Sequence, residues 1–128
     1  MEKKCIGVDV GGTTVKIGLF EPQGTLLRKW EIPSRKEENG RFILPDTAQS
    51  IRRVLEEEKL SLADIEGVGM GLPGPVLPDG FVELCVNLGW RNLNAQEILS
   101  GLLDGVKVCS ANDANVAALG EMWQGGGK

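Results

Sequence analysis

The chain has no histidine, so any proton transfer it performs must rest on carboxylates. Its three cysteines, Cys5, Cys85 and Cys109, are odd in number, lie in apolar runs and show no Cys-x-x-Cys spacing. That pattern predicts small buried thiols in place of metal ligands or a disulfide. Positive charge is scarce as well: 14 Lys and Arg stand against 18 Asp and Glu, a net charge of −4, and the cations are scattered. Nucleic acid, which rewards a basic face, is thereby disfavoured as a partner. No apolar stretch approaches the roughly 20 residues of a membrane span. Met1-Glu-Lys-Lys leads directly into an apolar strand without the core of a signal peptide, so no membrane association and a cytoplasmic location are expected. A length of 128 residues suits one domain that needs neither disulfide nor metal to hold a core.

What the chain does have is concentrated first in Cys5 to Lys16. Ile6, Val8 and Val10 form an almost uninterrupted β-branched run, as in a strand buried on both faces, with Asp9 as its one acid. Gly11 and Gly12 permit the backbone conformations of a tight turn and bare its N–H groups, and Thr13 and Thr14 add hydroxyls. After the turn Val15, Ile17 and Leu19 alternate with Thr14, Lys16 and Gly18, so Thr14 and Lys16 share a face. Bared amides can hold an anion, and a carboxylate beside them is useful chiefly when a divalent cation separates the two negative charges. Mg-nucleotide is the implied ligand; an ordinary Gly-Gly hairpin with an incidental Asp is the plainer alternative.

Further along, Glu21-Pro-Gln-Gly24 is a turn and Leu26 to Ile32 a third strand ending before Pro33. Ser34 to Gly40 reads as a loop. Pro45 and Asp46 open a helix reaching about Leu60, with Ala48, Ile51, Val54 and Leu55 inward. Ile65 to Met70 is a fourth, glycine-rich strand that leads into Gly67-Val-Gly-Met-Gly-Leu-Pro-Gly-Pro75. A dinucleotide fingerprint would need a helix at once, which Pro73 and Pro75 oppose, so this is a rigid loop: a wall for a ligand or a plain turn. Phe81 to Val86 is a short strand or hairpin arm, and in Asn87-Leu-Gly-Trp90 the amide either meets a substrate or caps a turn.

Asn94 to Leu103 is a helix, with Asn94 and Glu97 spaced as a capping box, Leu93 and Ile98 as a staple, and Ile98, Leu99, Leu102 and Leu103 inward. Val106 to Ser110 gives a fifth strand, and Ala111-Asn-Asp-Ala-Asn115 leads into a last helix carrying Val116, Leu119, Gly120 and Trp123 on one side. Asn112 and Asp113 therefore stand where a strand gives way to a helix, the place where open α/β sheets bind ligands. Two roles are open to them. Asp113 serves either as a first-turn acid of the helix or as an ionised carboxylate able to take a hydroxyl proton, with Asn112 holding the same molecule.

Taken together, Asp9-Val-Gly-Gly-Thr13 with Lys16, Gly71-Leu-Pro-Gly-Pro75, Asn87-Leu-Gly-Trp90 and Asn112-Asp-Ala-Asn115 with Gly120-Glu121 resemble the ROK family of sugar kinases, and most closely its bacterial glucokinases. The resemblance covers essentially the whole chain. It implies an α/β lobe of the actin-like ATPase, ribonuclease-H-like fold, a five-stranded mixed sheet in the order βββαβαβα flanked by helices. It further implies ATP-dependent phosphorylation of a hexose, usually glucose, at its 6-hydroxyl. By the same resemblance Gly11, Gly12, Thr13, Thr14 and Lys16 attend the phosphates of Mg-ATP, and Asp9 approaches the magnesium through water. Asp113 is the base. Gly74, Asn87, Asn112 and Asp113 contact the sugar. Phosphoryl transfer depends mainly on alignment and charge neutralisation, so a weak base held rigidly suffices.

Family members continue into a second lobe with a Glu-x-Gly-His sugar motif, a cysteine-rich zinc site, a second phosphate loop and the adenosine pocket. None of these motifs occurs here. Residues 1–123 are expected to be the N-terminal lobe and residues 124–128 a glycine-rich hinge or truncation end, in a piece inactive alone. Zinc is expected only in the missing lobe, and a homodimer only in the full-length protein. Kinases for fructose, N-acetylmannosamine or allose stay open, as does a non-catalytic sugar-binding module. A sugar-responsive repressor is disfavoured, because only four residues precede Cys5 and leave no room for a helix-turn-helix.

Overall fold

The computed structural model describes residues 3–74, 76–77 and 79–112, the last two by backbone alone. Strands β1 (Lys4–Val10), β2 (Thr14–Phe20) and β3 (Leu26–Pro33) form the expected meander. Strands β4 (Ile65–Leu72) and β7 (Val108–Asn112) complete a sheet ordered β3-β2-β1-β4-β7. The β1–β2 and β2–β3 pairs are antiparallel, whereas β1–β4 and β4–β7 are parallel. This is the mixed sheet of the actin-like fold. Between these strands lie a single irregular turn α1 (Glu37–Gly40), helices α2 (Ile43–Glu57) and α3 (Ala95–Leu102), and a β5 (Phe81–Cys85) to β6 (Trp90–Asn94) hairpin forming its own small sheet.

Register explains why one face of the sheet is apolar. Ile6 stands opposite Leu19 and Val68, Val8 opposite Ile17 and Met70, and Val10 opposite Val15, so these side chains line one side. All of them are buried, and Ile43, Ala48, Ile51 and Leu55 of α2 join them in the same core with Leu99 of α3. Each aliphatic side chain removed from water contributes about 1.5–3 kcal/mol, more than its helix or strand propensity supplies. The other face carries Cys5, Gly7 and Asp9 in register with Gly67, Gly69 and Gly71.

Several boundaries differ from the sequence reading for identifiable reasons. α2 begins at Ile43, ahead of Pro45, because Pro in a first turn forfeits no intrahelical bond. It stops at Glu57, where Lys59 turns left-handed at φ 61° and the Leu60 amide returns to the Leu55 carbonyl at 2.8 Å. Pro33 belongs to β3, which is tolerated because β3 is the edge of the sheet. β4 runs on to Leu72, while β7 starts at Val108 and continues through Asn112. α3 has the expected cap, the Asn94 side chain accepting from the Glu97 amide at 3.0 Å. Ile98, however, is exposed; Leu99 and Leu103 supply the inward face. The last helix and residues 124–128 lie outside the described residues. Among those described, no helix is long and apolar enough to cross a membrane.

Candidate active site

Because β1, β4 and β7 are parallel, the loops leaving their carboxyl ends emerge on one edge of the sheet. Asp9 is in register with Gly71, Gly71 with Ala111, and Leu72 with Asn112. Three segments distant in sequence, the Gly-Gly turn, the Pro-Gly loop and the start of Asn112-Asp113, are thus gathered by strand pairing alone. Asp113 lies outside the described residues, and Asn112 is fixed here by its backbone.

Asp9 is half-buried and stands directly across the β1–β2 ladder from Lys16, which is exposed. Opposed residues on one face have Cβ atoms roughly 5 Å apart, so carboxylate and ammonium flank the same turn. That turn is closed by the Gly11 amide donating to the Thr14 carbonyl at 2.9 Å. Neither Gly11 nor Gly12 adopts a left-handed φ, so the freedom anticipated for them is not used. Space is what they provide. A Cβ on Gly11 would stand 2.9 Å from the Thr14 carbonyl oxygen, closer than packing allows. One on Gly12 would lie 3.7 Å from the Asn87 carbonyl oxygen and 3.8 Å from the Asn87 Cβ.

Gly12 thus sets the Gly-Gly hairpin close beside the Asn87-Leu-Gly-Trp90 motif, whose residues divide cleanly. Leu88 and Trp90 are buried, and the Trp90 indole Nε1–H donates to the Gly40 carbonyl at 3.0 Å. Gly89 turns left-handed at φ 78° against Asn39. Asn87 alone of the motif's polar side chains is presented outward, into a cleft of about 470 Å³ that Pro73, Gly74 and Cys85 also line. Gly74 packs over Cys85, whose Sγ would be 3.4 Å from an added Cβ. Burial pushes the Cys85 thiol up, only partly opposed by the backbone amides of Leu88 and Asn87. It is a neutral floor for the cleft. Cys5 is pushed up for the same reason, with Glu66 adding to the effect; Cys109 is only half-buried, not the fully buried thiol expected.

Two polar residues that carried no signal in the sequence hold these loops. The Ser34 hydroxyl donates to the Gly11 carbonyl at 2.7 Å and its amide to the Thr13 carbonyl at 2.9 Å. The Gln96 side-chain oxygen accepts from both the amide and the hydroxyl of Ser110 at 2.9 Å, while its NH₂ donates to the Asp79 carbonyl at 3.2 Å. Asn94 Nδ2 donates to that same carbonyl at 3.0 Å. Gln96 therefore ties β7 to the loop that follows the Pro-Gly segment. Both residues bond backbone groups 14 or more positions away, which no local pattern reveals.

Among the described residues no group of three or more His, Cys, Asp or Glu could enclose a metal ion. Asp9, which borders the Gly-Gly turn, would be the carboxylate able to hold a hydrated Mg²⁺, whose charge would offset that of an anion bound at the turn.

The chain matches the ROK family profile over residues 5–128. It is 41% identical to a glucokinase of Halalkalibacterium halodurans over 95% of this chain and 37% of that one. A ROK hexokinase from Thermus thermophilus superposes with a TM-score of 0.76 at 32% identity, over 95% of this chain and 40% of its own. A ROK glucokinase from Streptomyces griseus, solved with glucose and AMPPNP, does so with 0.71 at 27%, over 98% and 38%. Regulators occur among the relatives too: a xylose repressor of Caldicellulosiruptor bescii is 30% identical over 94% of this chain and 30% of its own. The chain thus spans under two-fifths of the glucokinase it matches. With its sheet, its hairpin and its Pro-Gly and Asn-Leu-Gly-Trp loops in these places, it belongs to the ROK family.

Proposed function

We propose that this chain supplies the terminal-phosphate cradle and one wall of the sugar site in an ATP-dependent hexose kinase, with glucose the first candidate and its 6-hydroxyl the acceptor. The observation that carries this reading is the close approach of Gly12 to Asn87, near enough that a Cβ on Gly12 would touch it, which sets the Gly-Gly turn beside an exposed carboxamide and a cleft. Glucokinases among the relatives support the substrate class.

In this reading the amides of Gly12 and Thr13, with the Thr14 hydroxyl and Lys16, neutralise the terminal phosphates beside Gly11, whose own amide closes the turn, and Asp9 would hold a hydrated magnesium that would supply further charge neutralisation. Gly74 and Asn87 bound the sugar from one side. Asn112 orients it, and Asp113 takes the hydroxyl proton as the phosphoryl group arrives. Residues 1–123 act as one lobe and residues 124–128 lead towards a second that supplies the adenosine pocket. The test is steady-state glucose phosphorylation by the full-length Asp113→Asn protein beside its thermal melt. Loss of the base lowers kcat roughly 10²-fold to 10⁴-fold. A cap would tolerate the amide with a cost of about 1 kcal/mol or less. Near-normal kcat in the folded variant would remove Asp113 from the chemistry.

The repressor relative favours one second reading, a sugar-responsive regulator that binds the same sugar without transferring phosphate. Glucose binding without any Mg-ATP turnover in the full-length protein would select it.

A further inference from the structure

We infer that Ser34 is a positioning residue that fixes which way the phosphate-binding amides point, an inference that rests on the phosphate-cradle reading of the hairpin. A trans peptide unit carries its C=O and the next N–H on opposite sides. The Ser34 hydroxyl holds the Gly11 carbonyl at 2.7 Å, so the Gly12 N–H projects away from Ser34. The Ser34 amide holds the Thr13 carbonyl at 2.9 Å, so the Thr14 N–H projects the same way. The Gly12 amide itself makes no hydrogen bond among the described residues.

A Gly-Gly peptide is the one most easily turned over, because neither residue has a Cβ to confine it. Turned over, it would present the Gly11 carbonyl oxygen, a negative dipole, where an anion is to bind. The Ser34 hydroxyl opposes that reversal, and Ser34 is itself fixed from both sides. It is buried at the end of β3, and the next residue, Arg35, forks onto Asp46 at 2.7 and 2.8 Å with its guanidinium 4.4 Å from the centre of the Phe42 ring. The brace is therefore built into the strand that follows the hairpin, and the cradle is oriented before any ligand arrives.

The test compares Ser34→Ala and Ser34→Thr in the full-length protein carrying this sequence. The readouts are the KM for Mg-ATP, the KM for glucose, the melting temperature, and the affinity for Mg-AMPPNP by calorimetry. Ser34→Ala should raise the Mg-ATP KM and the Mg-AMPPNP Kd by about fivefold to tenfold, the worth of one hydrogen bond, with the glucose KM within twofold. Ser34→Thr, which keeps the hydroxyl, should restore both. An unchanged Mg-AMPPNP Kd in Ser34→Ala overturns the inference, as does an equal loss of glucose and nucleotide binding that tracks a lowered melt in both variants. If the wild type binds Mg-AMPPNP but phosphorylates nothing, the kinase reading fails while the calorimetric comparison still decides the role of Ser34. If the wild type binds no Mg-nucleotide, both fall.

Discussion

The two hairpins that meet at Gly12 and Asn87 are built on opposite plans. The β1–β2 hairpin lies inside the main sheet with a partner strand on each side, and its tip offers backbone groups freed by the absence of side chains. The β5–β6 hairpin has only two strands, and such a sheet is marginal alone. Trp90, Leu88 and Val82 root it in the core, while Leu84 and Val86 stay 50% and 78% exposed. In the proposed function the first hairpin offers main-chain amides to a ligand and the second a single side chain, Asn87. Stability and site are therefore merged in the first hairpin and separable in the second.

That difference can be broken most severely at Trp90. Trp90→Ala removes the largest fully buried side chain and the hydrogen bond to Gly40, and should cost about 3–5 kcal/mol, read by urea unfolding. A cost below about 1 kcal/mol would mean that the second hairpin is not rooted as described. Gly11→Ala should cost about 1–3 kcal/mol, because the new methyl meets the Thr14 carbonyl and the hairpin must shift. It should weaken Mg-AMPPNP binding as well, whereas the same change at exposed Gly101, which has open space around it, should leave binding alone.

The thiols beneath the two hairpins give a pH test. Burial raises Cys5 and Cys85 above their ordinary 9.0, so on raising pH the unfolded chain loses these protons first. Their contribution is full below the unfolded value and is lost as pH climbs through the folded ones. The melting temperature should fall from about pH 8.5 upward, and that fall should flatten when both are replaced by alanine. The smallest stability effect is at Asn87: Asn87→Ala should change unfolding by about 0.5 kcal/mol or less, as an exposed turn residue, yet raise the sugar KM about tenfold. A loss of stability like that of Trp90 would make it a turn residue after all.

The first hairpin was legible because its signals are local. Period-2 alternation, β-branched residues and two adjacent glycines lie within 12 residues, and the inner face of α2 and the Asn94 cap are equally short-range. β6 was not, since Trp90-Arg-Asn-Leu-Asn94 has no clean alternation and Asn92 turns left-handed at φ 52°. Ile98 misled because helical spacing names a stripe without saying how wide the contact is; α3 buries Leu99 and leaves Ile98 at the rim. The reason for Gly11 was also hidden, because what excludes a side chain is a carbonyl met only when the turn closes. Ser34 and Gln96 left no trace for the same kind of reason: their partners are backbone groups brought near by strand pairing.

In the proposed function phosphate and sugar are received by adjacent groups on the two hairpins. This is tested most directly by following the Gly12 amide, the Asn87 side-chain NH₂ and the Trp90 indole N–H of the full-length protein by NMR during addition of Mg-AMPPNP and then glucose. The Gly12 amide should shift with the nucleotide, the Asn87 NH₂ with the sugar, and the Trp90 indole with neither. Saturating glucose that leaves Asn87 unmoved, or Mg-AMPPNP that leaves Gly12 unmoved, would contradict it.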